Sequence, residues 1–396
     1  MVEHETVTKA DVDSKVTTHE GNASAHHTKY TDGEAQTTVK ANVEVGDLKT
    51  PTKNLAMNSN TLTGLKAAIL AGQPLTYEQM IAVAGFAWTG ATGENSPRAL
   101  TQDTDYVYVG LAITPAKVIK IAKATMTTEA TWTGETGENA CSELTSDDDY
   151  VYAGLELDPG KVIKISKATM ATVATWTGGA GESQVEALVQ DADYVYAGLW
   201  TWPAIVIKIA KATMTTEDSW TGETNEDDCI SLTLDDDYVY AGLELGPAQV
   251  KKIAKSTMAT VATWTGAGDE DRCYALIQDT DYVYAGLDTI PARVIKIAKA
   301  TMTTEATWTG ETGENKCWAL TQDTNYVYAG IIVNPGKVIK ITKSSAATQA
   351  TWTGGDGEDV AICLTRDNDS VYVGLNLSPA RVMKINSRRR SLQFWE

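Results

Sequence analysis

Beyond residue 87 the apolar positions come in short bursts broken by turn residues. Over 132–176 the pattern is typical. Cys141-Ser142-Glu143-Leu144-Thr145 alternates apolar and polar side chains, and Asp147-Asp148-Asp149 is turn chemistry. Tyr150-Val151-Tyr152-Ala153-Gly154-Leu155 follows, aromatic and β-branched, and Leu157-Asp158-Pro159-Gly160 turns again. Lys161-Val162-Ile163-Lys164-Ile165 is a third burst, Ala168-Thr169-Met170 a third turn, and Thr172-Val173-Ala174-Thr175-Trp176 a fourth burst. No burst reaches the length of a typical helix. The composition suits a pleated, half-buried surface, so the unit predicts four strands.

The same unit recurs without slippage. Trp-Thr-Gly stands at Trp88, Trp132, Trp176, Trp220, Trp264, Trp308 and Trp352, every 44 residues. Four strands in a repeat of about 40–45 residues is the pattern of a propeller blade. The expected fold is therefore all-β, a seven-bladed β-propeller over 81–396, preceded by an extended N-terminal arm over 1–80. A single four-stranded sheet cannot bury both faces, whereas a ring of blades buries them against neighbours and removes the open ends. A β-solenoid is the rival, but its coils are usually shorter and it needs caps that this sequence lacks. The last blade needs an outer strand. Phe86-Ala87-Trp88-Thr89-Gly90 is expected to supply it, with the similar Ser391-Leu392-Gln393-Phe394-Trp395 packed nearby.

Composition changes the picture in three ways. The 11 Trp and 16 Tyr beside 2 Phe reflect copying of one unit rather than an aromatic surface. A net charge of -19 argues against nucleic acid as main partner, since phosphates repel that sign. Five cysteines are too few for a disulfide scaffold. The opening Met1-Val2-Glu3-His4-Glu5 does not read as a signal peptide, and no apolar run is long enough for membrane insertion.

Seven internal copies separate positions every blade needs from positions free to change. Three columns hold throughout: Asp103 with its six equivalents, Glu94 with its six, and Lys120 with its six. The acidic columns read either as seven calcium sites or as turn caps paired with a repeated lysine. The second reading is preferred, because Asp103-Thr104-Asp105-Tyr106 offers only two carboxylates where a calcium loop concentrates several ligands. The copies diverge nine to ten residues after each Trp, at Pro97-Arg98, Cys141-Ser142, Val185-Glu186, Cys229-Ile230, Cys273-Tyr274, Cys317-Trp318 and Ala361-Ile362. That segment opens the innermost strand and should ring the channel mouth. Arg98, Ser142, Glu186, Ile230, Tyr274, Trp318 and Ile362 are thus candidate binding residues, with relaxed constraint at a loop as the alternative. Cys229, Cys273 and Cys317 share one column, and read as small buried thiols rather than metal ligands. Blade three departs further: Trp200-Thr201-Trp202-Pro203 replaces the usual turn, and Ile205 replaces a Lys or Arg. Trp200 and Trp202 are costly to expose without use. They suit packing on a subunit or on the arm, or stacking on a sugar.

The first 87 residues lack the repeat and hold all four histidines. They are polar until about position 62, too polar to fold alone. An arm ordered by partners is expected, with short helices at 32–39 and 77–84. His26 and His27 read as a solvated or hydrogen-bonded pair rather than as metal ligands.

Two motifs in this arm carry a resemblance. Ser24-Ala25-His26-His27-Thr28-Lys29-Tyr30-Thr31-Asp32 resembles short repeats of phage tail-fibre and related virion proteins. Leu55-Ala56-Met57-Asn58-Ser59-Asn60-Thr61-Leu62-Thr63-Gly64-Leu65, followed by Ala71-Gly72-Gln73-Pro74-Leu75-Thr76-Tyr77-Glu78-Gln79, is similar to a tail-fibre segment. The resemblance covers 24–79 and implies a virion appendage attached through its N-terminal part. His26, His27, Tyr30, Leu55, Met57, Leu62 and Leu65 are then the candidate assembly residues.

These readings converge on a virion structural protein, a tail-fibre or receptor-binding subunit that is extracellular once released by lysis. Its expected partners are copies of itself, other virion proteins and a host surface glycan or protein. An alternative is a self-assembling filament or decoration protein in which the arm of one subunit clasps the next. A glycan-active enzyme is the third reading, disfavoured because no histidine lies in the ring and the acidic pairs repeat in every blade. No cofactor is expected.

Overall fold

The computed structural model describes residues 87–355 and 357–386, together with the strand pair Ala56–Met57 and Asn60–Thr61. The chain divides into two units, Met1–Thr76 and Tyr77–Glu396. The expected helices at 32–39 and 77–84 and the strand at 391–395 lie outside the described residues. So do the side chains of His26, His27, Tyr30, Leu55, Met57, Leu62 and Leu65.

Residues 87–386 form seven four-stranded antiparallel sheets in a ring, a seven-bladed β-propeller. Blade two is representative: Cys141–Ser146 innermost, then Tyr150–Leu155, Lys161–Ser166 and the outermost Thr172–Thr177. Blade one begins at Pro97, blade three at Val185, blade four at Cys229, blade five at Cys273, blade six at Asn315 and blade seven at Ala361. Blade seven takes three strands from the C-terminal side and its outermost strand, Ala87–Thr89, from the N-terminal side. Ala87 pairs with Met383, Trp88 with Val382 and Thr89 with Arg381. The expected closing strand is the observed one.

Position in the blade sets the burial pattern. The second strand is covered by blades on both sides, so Val151, Tyr152, Ala153 and Leu155 are all buried. The outermost strand meets solvent, and in Thr172–Thr177 only Trp176 is buried. Each core cluster straddles a blade border. Trp132 and Tyr108 of blade one pack with Val151, Ala153, Leu155 and Ile163 of blade two. The Trp column also spans that border through hydrogen bonds. Trp132 Nε1 donates to Thr172 Oγ1 at 2.9 Å, and Trp88 donates to Thr128 at 2.8 Å across the closed seam.

The fixed Asp and Lys columns hold the end of the ring opposite the variable loops. Asp147 Oδ1 accepts the amides of Asp149 and Tyr150, and Oδ2 accepts Tyr152 O–H at 2.9 Å. Oδ2 also receives Lys211 of the next blade at 3.1 Å. Both oxygens are engaged within the fold, which assigns this column to turn capping and blade pairing. The lysine column singled out in the sequence does something else. Lys164 Nζ donates to the carbonyl of Lys211 at 2.9 Å and stands 4.1 Å from the Tyr150 ring centroid. The Asp partner is a second lysine column, seen in Lys123, Lys167, Lys211, Lys255, Lys299 and Lys343. Gln190 adds a link around the channel by donating to Ser146 O at 3.1 Å.

The Glu column works at the other end. Glu138 Oε2 accepts the Glu135 amide, and Oε1 pairs with Lys161 at 2.9 Å. Ile205 removes that cation from Glu182 in blade three, while in blade four Lys251 supplies it to Glu226. Buried Cys141, Cys229, Cys273 and Cys317 each hydrogen-bond the carbonyl two residues on, one thiol per blade. Burial pushes the Cys273 thiol up to about 12, against the opposing hydrogen bond with Ser231, so it is an inert packing group.

Candidate functional site

The variable column stands on an irregularity that the blades share. In blade two the pairing register shifts between Cys141 and Glu143, leaving Ser142 outside the ladder. The same bulge places Arg98, Glu186, Ile230 and Tyr274, and in blade seven Ile362, outside their ladders. Blade six has two such shifts, around Lys316 and Trp318. A bulged residue makes no ladder bonds and its side chain is re-aimed, so its identity can change at little cost to the sheet. The residue entering each inner strand is left-handed, from Ser96 (φ 51°) and Ala140 (φ 41°) to Arg272 (φ 43°) and Lys316 (φ 51°).

Neighbouring variable residues meet across blade borders. Arg98 of blade one lies 3.7 Å from Glu156 of blade two. Arg272 of blade five reaches Glu244 of blade four at 3.3 Å, and Lys316 of blade six reaches Asp288 at 2.9 Å. Tyr274 stacks on Trp318 with ring centroids 5.0 Å apart and planes inclined by 23°. The mouth therefore has an aromatic arc on blades five and six. A charged arc contains Arg98, Glu156, Glu186, Asp228, Glu244 and Arg272. Two buried polar atoms here lack a hydrogen-bond partner, Trp318 Nε1 and Glu186 Oε1.

Ser142 departs from expectation. It is 7% exposed, and its hydroxyl hydrogen-bonds the carbonyls of Gly154 and Val185. A short polar side chain at the bulge can turn inward, so Ser142 joins the blade border rather than the mouth. Ile230 is half-buried, and half-buried Ile362 packs against the cluster between blades seven and one. Arg98 is exposed, while Glu186, Tyr274 and Trp318 are half-buried at the mouth.

Carboxylates crowd this end of the channel. Glu143 replaces the small residue found in every other copy, such as Ala99, Ala187 or Ser231. Burial raises its carboxyl to about 8, opposed by the hydrogen bond from the Leu144 amide and reinforced by Glu186. Burial also raises Glu186 to about 7, with Glu156 adding to the shift and Arg98 opposing it. Asp228 rises to about 6 through burial, then Glu244 and Asp227. In the sequence Glu143 is only a polar residue within an alternating strand, and its burial comes from the closed ring. Glu156, Glu244, Asp288, Arg272 and Lys316 occupy two further columns that vary between copies, and the same comparison could have found them.

Blade three carries a distinct cleft of about 370 Å³, lined by Gly181, Ser183, Trp200, Thr201, Trp202, Asp227 and Asp228. Trp202 is 74% exposed and Trp200 46%. The walls are tied together: Ser183 Oγ donates to Trp200 O at 3.0 Å, and the Asp228 amide donates to Thr201 O at 3.1 Å. A larger hollow of about 810 Å³ lies at the opposite end, among Asp103, Asp147, Asp191, Lys167 and Lys211. Its lining comes largely from the fixed columns.

No family model matches the chain, and no curated protein matches it. Among solved structures it is similar to the crystal structure of the computationally designed Ika8 protein, with a TM-score of 0.55 and 16% identity. The match covers 75% of this chain and 98% of that one, and at this identity the likeness shows the fold alone.

Proposed function

We propose that the chain is a virion appendage subunit whose arm attaches it to the particle and whose propeller presents a binding face. One observation carries the reading. The principal columns that differ between otherwise matching copies gather at one end of the ring, while the Asp and Lys columns that hold blade to blade occupy the other. A rigid scaffold with variable residues at one end is the usual arrangement of a recognition surface. The resemblance of residues 24–79 to phage tail fibres supplies the attachment half. The role is binding rather than catalysis, because the repeated acidic columns are engaged in turn caps and ion pairs.

Labelled full-length chain should bind cells of the host on which the virus grows and should be found in purified virions. Trp318→Ala or Arg98→Ala should weaken cell binding, while Asp105→Ala at the opposite end should not. A chain that binds no host cells and is missing from virions defeats the proposal.

A further inference from the structure

We propose that the cleft of blade three is a binding site for a neutral saccharide. This deepens the reading of the variable end as a binding face and rests on it. A pyranose ring offers a face of C–H bonds and an edge of hydroxyls. Recognition therefore needs an aromatic platform beside fixed hydrogen-bonding groups. The cleft supplies both. Trp200 and Trp202 line it and remain open to solvent, although no other blade carries tryptophan in this turn. Isolated exposed side chains are ordinary, but two indoles on one small cleft make an apolar patch with polar groups at its rim.

The polar atoms of the lining add hydrogen-bonding capacity beside the indoles. Thr201, between the two tryptophans, is 8% exposed, and its hydroxyl has no hydrogen-bond partner. Asp227 Oδ1, also in the lining, is likewise buried without a partner. Equivalent atoms are orphaned at Thr289, Asn139 and Asp359 in blades without the tryptophans, so the indoles single out this cleft, where a hydroxyl-rich ligand would find a donor and an acceptor beside them. The backbone links between Ser183 and Trp200 and between Thr201 and Asp228 hold the walls in place before anything binds. The volume of about 370 Å³ sits at the small end of ligand pockets, which suits one or two sugar rings. Asp227 and Asp228 select against anionic sugars, because a carboxylate accepts from a hydroxyl and repels a second carboxylate.

The test uses the full chain with maltotriose, mannotriose and lactose as probes, and sialylated lactose as the anionic comparison. Binding is read by calorimetry and by indole fluorescence. At least one neutral probe should bind and the sialylated form should bind more weakly. Trp202→Ala should weaken binding about tenfold with the melting temperature unchanged, because the side chain is mostly exposed. Thr201→Val should weaken it about three- to tenfold while leaving melting unchanged or raising it, since it removes an unsatisfied hydroxyl. Thr289→Val is the internal control: Thr289 has the same orphan hydroxyl in blade five but no tryptophan beside it, so binding should not change. No binding by any neutral probe, or binding indifferent to Trp202→Ala, overturns the saccharide site. Indole emission that responds to protein concentration or arm deletion but not to sugar gives the cleft to protein packing and also overturns it. If sugars fail but Trp318→Ala still impairs attachment to host cells, the binding face stands without this ligand.

Discussion

Asp147 of blade two and Lys211 of blade three stand 3.1 Å apart, joined across a blade border by residues 64 positions apart in the chain. The lysine is nearly buried, and the carboxylate also holds the turn that starts its own second strand. The contact therefore couples the local shape of one blade to the docking of the next. Asp147→Ala strips four donors of their acceptor and should cost about 2–4 kcal/mol in urea unfolding. Asp147→Asn, which keeps the shape and one acceptor oxygen, should cost less. Equal losses for the two variants would show that charge rather than turn capping dominates.

A glycine column makes room for the thiol column. A methyl group on Gly110 would stand 2.6 Å from Cys141 Sγ, too close for any carbon–sulfur contact. Gly110→Ala should therefore destabilise by about 1–3 kcal/mol. Adding Cys141→Ala removes the sulfur and should recover at least about 1 kcal/mol of the loss relative to the sum of the single changes. Simple additivity would mean that the border opens elsewhere.

The closing strand predicts an asymmetry between the chain ends. Trp88 is buried in the seam and bonded to Thr128, so Trp88→Ala should cost about 3–5 kcal/mol. Deleting residues 1–90 should lower the melting temperature, because the third strand of blade seven loses its partner. Deleting 391–396 should leave it unchanged. A thermal scan of the three proteins decides the matter, and a marked fall for the short C-terminal deletion would contradict this assignment of the seam.

Two sets of carboxyls shape the response to pH. Glu143, Glu186 and Asp228 have folded values of about 8, 7 and 6, above ordinary carboxyls. A raised acid binds more protons folded than unfolded, so its penalty is fully present above the folded value and is relieved as pH falls. Stability should therefore rise on going from pH 8 to about pH 5. The Asp column acts oppositely. Burial would raise Asp367, but the Asp369 amide, Lys123, the Ser370 amide and Tyr372 outweigh it and hold it at about 2. Asp103, Asp147, Asp191, Asp235 and Asp279 are lowered in the same manner. Their contribution is present above the ordinary carboxyl range and fades as pH falls toward the folded values, so melting should drop again below about pH 4. Glu143→Gln should flatten the alkaline limb. A melting temperature constant from pH 5 to 8 in the parent chain would refute the assignment.

Much of the ring was legible because its information is repeated. The 44-residue period, the four bursts per unit and the Trp motif at 86–90 identify the blades and the closing strand, since each signal is averaged over seven copies. The side-chain pairing was harder to read. Two lysine columns, one present in all seven copies and one in six, lie three residues apart, and nothing in periodicity says which one crosses the border to Asp147. That depends on three-dimensional reach, which places Lys211 on the carboxylate and Lys164 on a carbonyl. The mouth was legible as a column and not as a set of contacts. Ser142 and Tyr274 occupy the same bulge, yet the short hydroxyl tucks inward and the ring stacks on Trp318. Thr201 was hidden for another reason: an orphan hydroxyl is defined by what surrounds it, and a threonine in a turn looks ordinary.

The bulge that opens each inner strand has a consequence for how such a protein can change over time. Because the residue there sits outside the ladder, seven sites around the rim can mutate one by one while the strand pairing behind them stays intact. Duplication of a blade copies the seat together with its freedom to vary. A lineage built this way can exchange the side chains of its rim without first crossing a valley of misfolded intermediates.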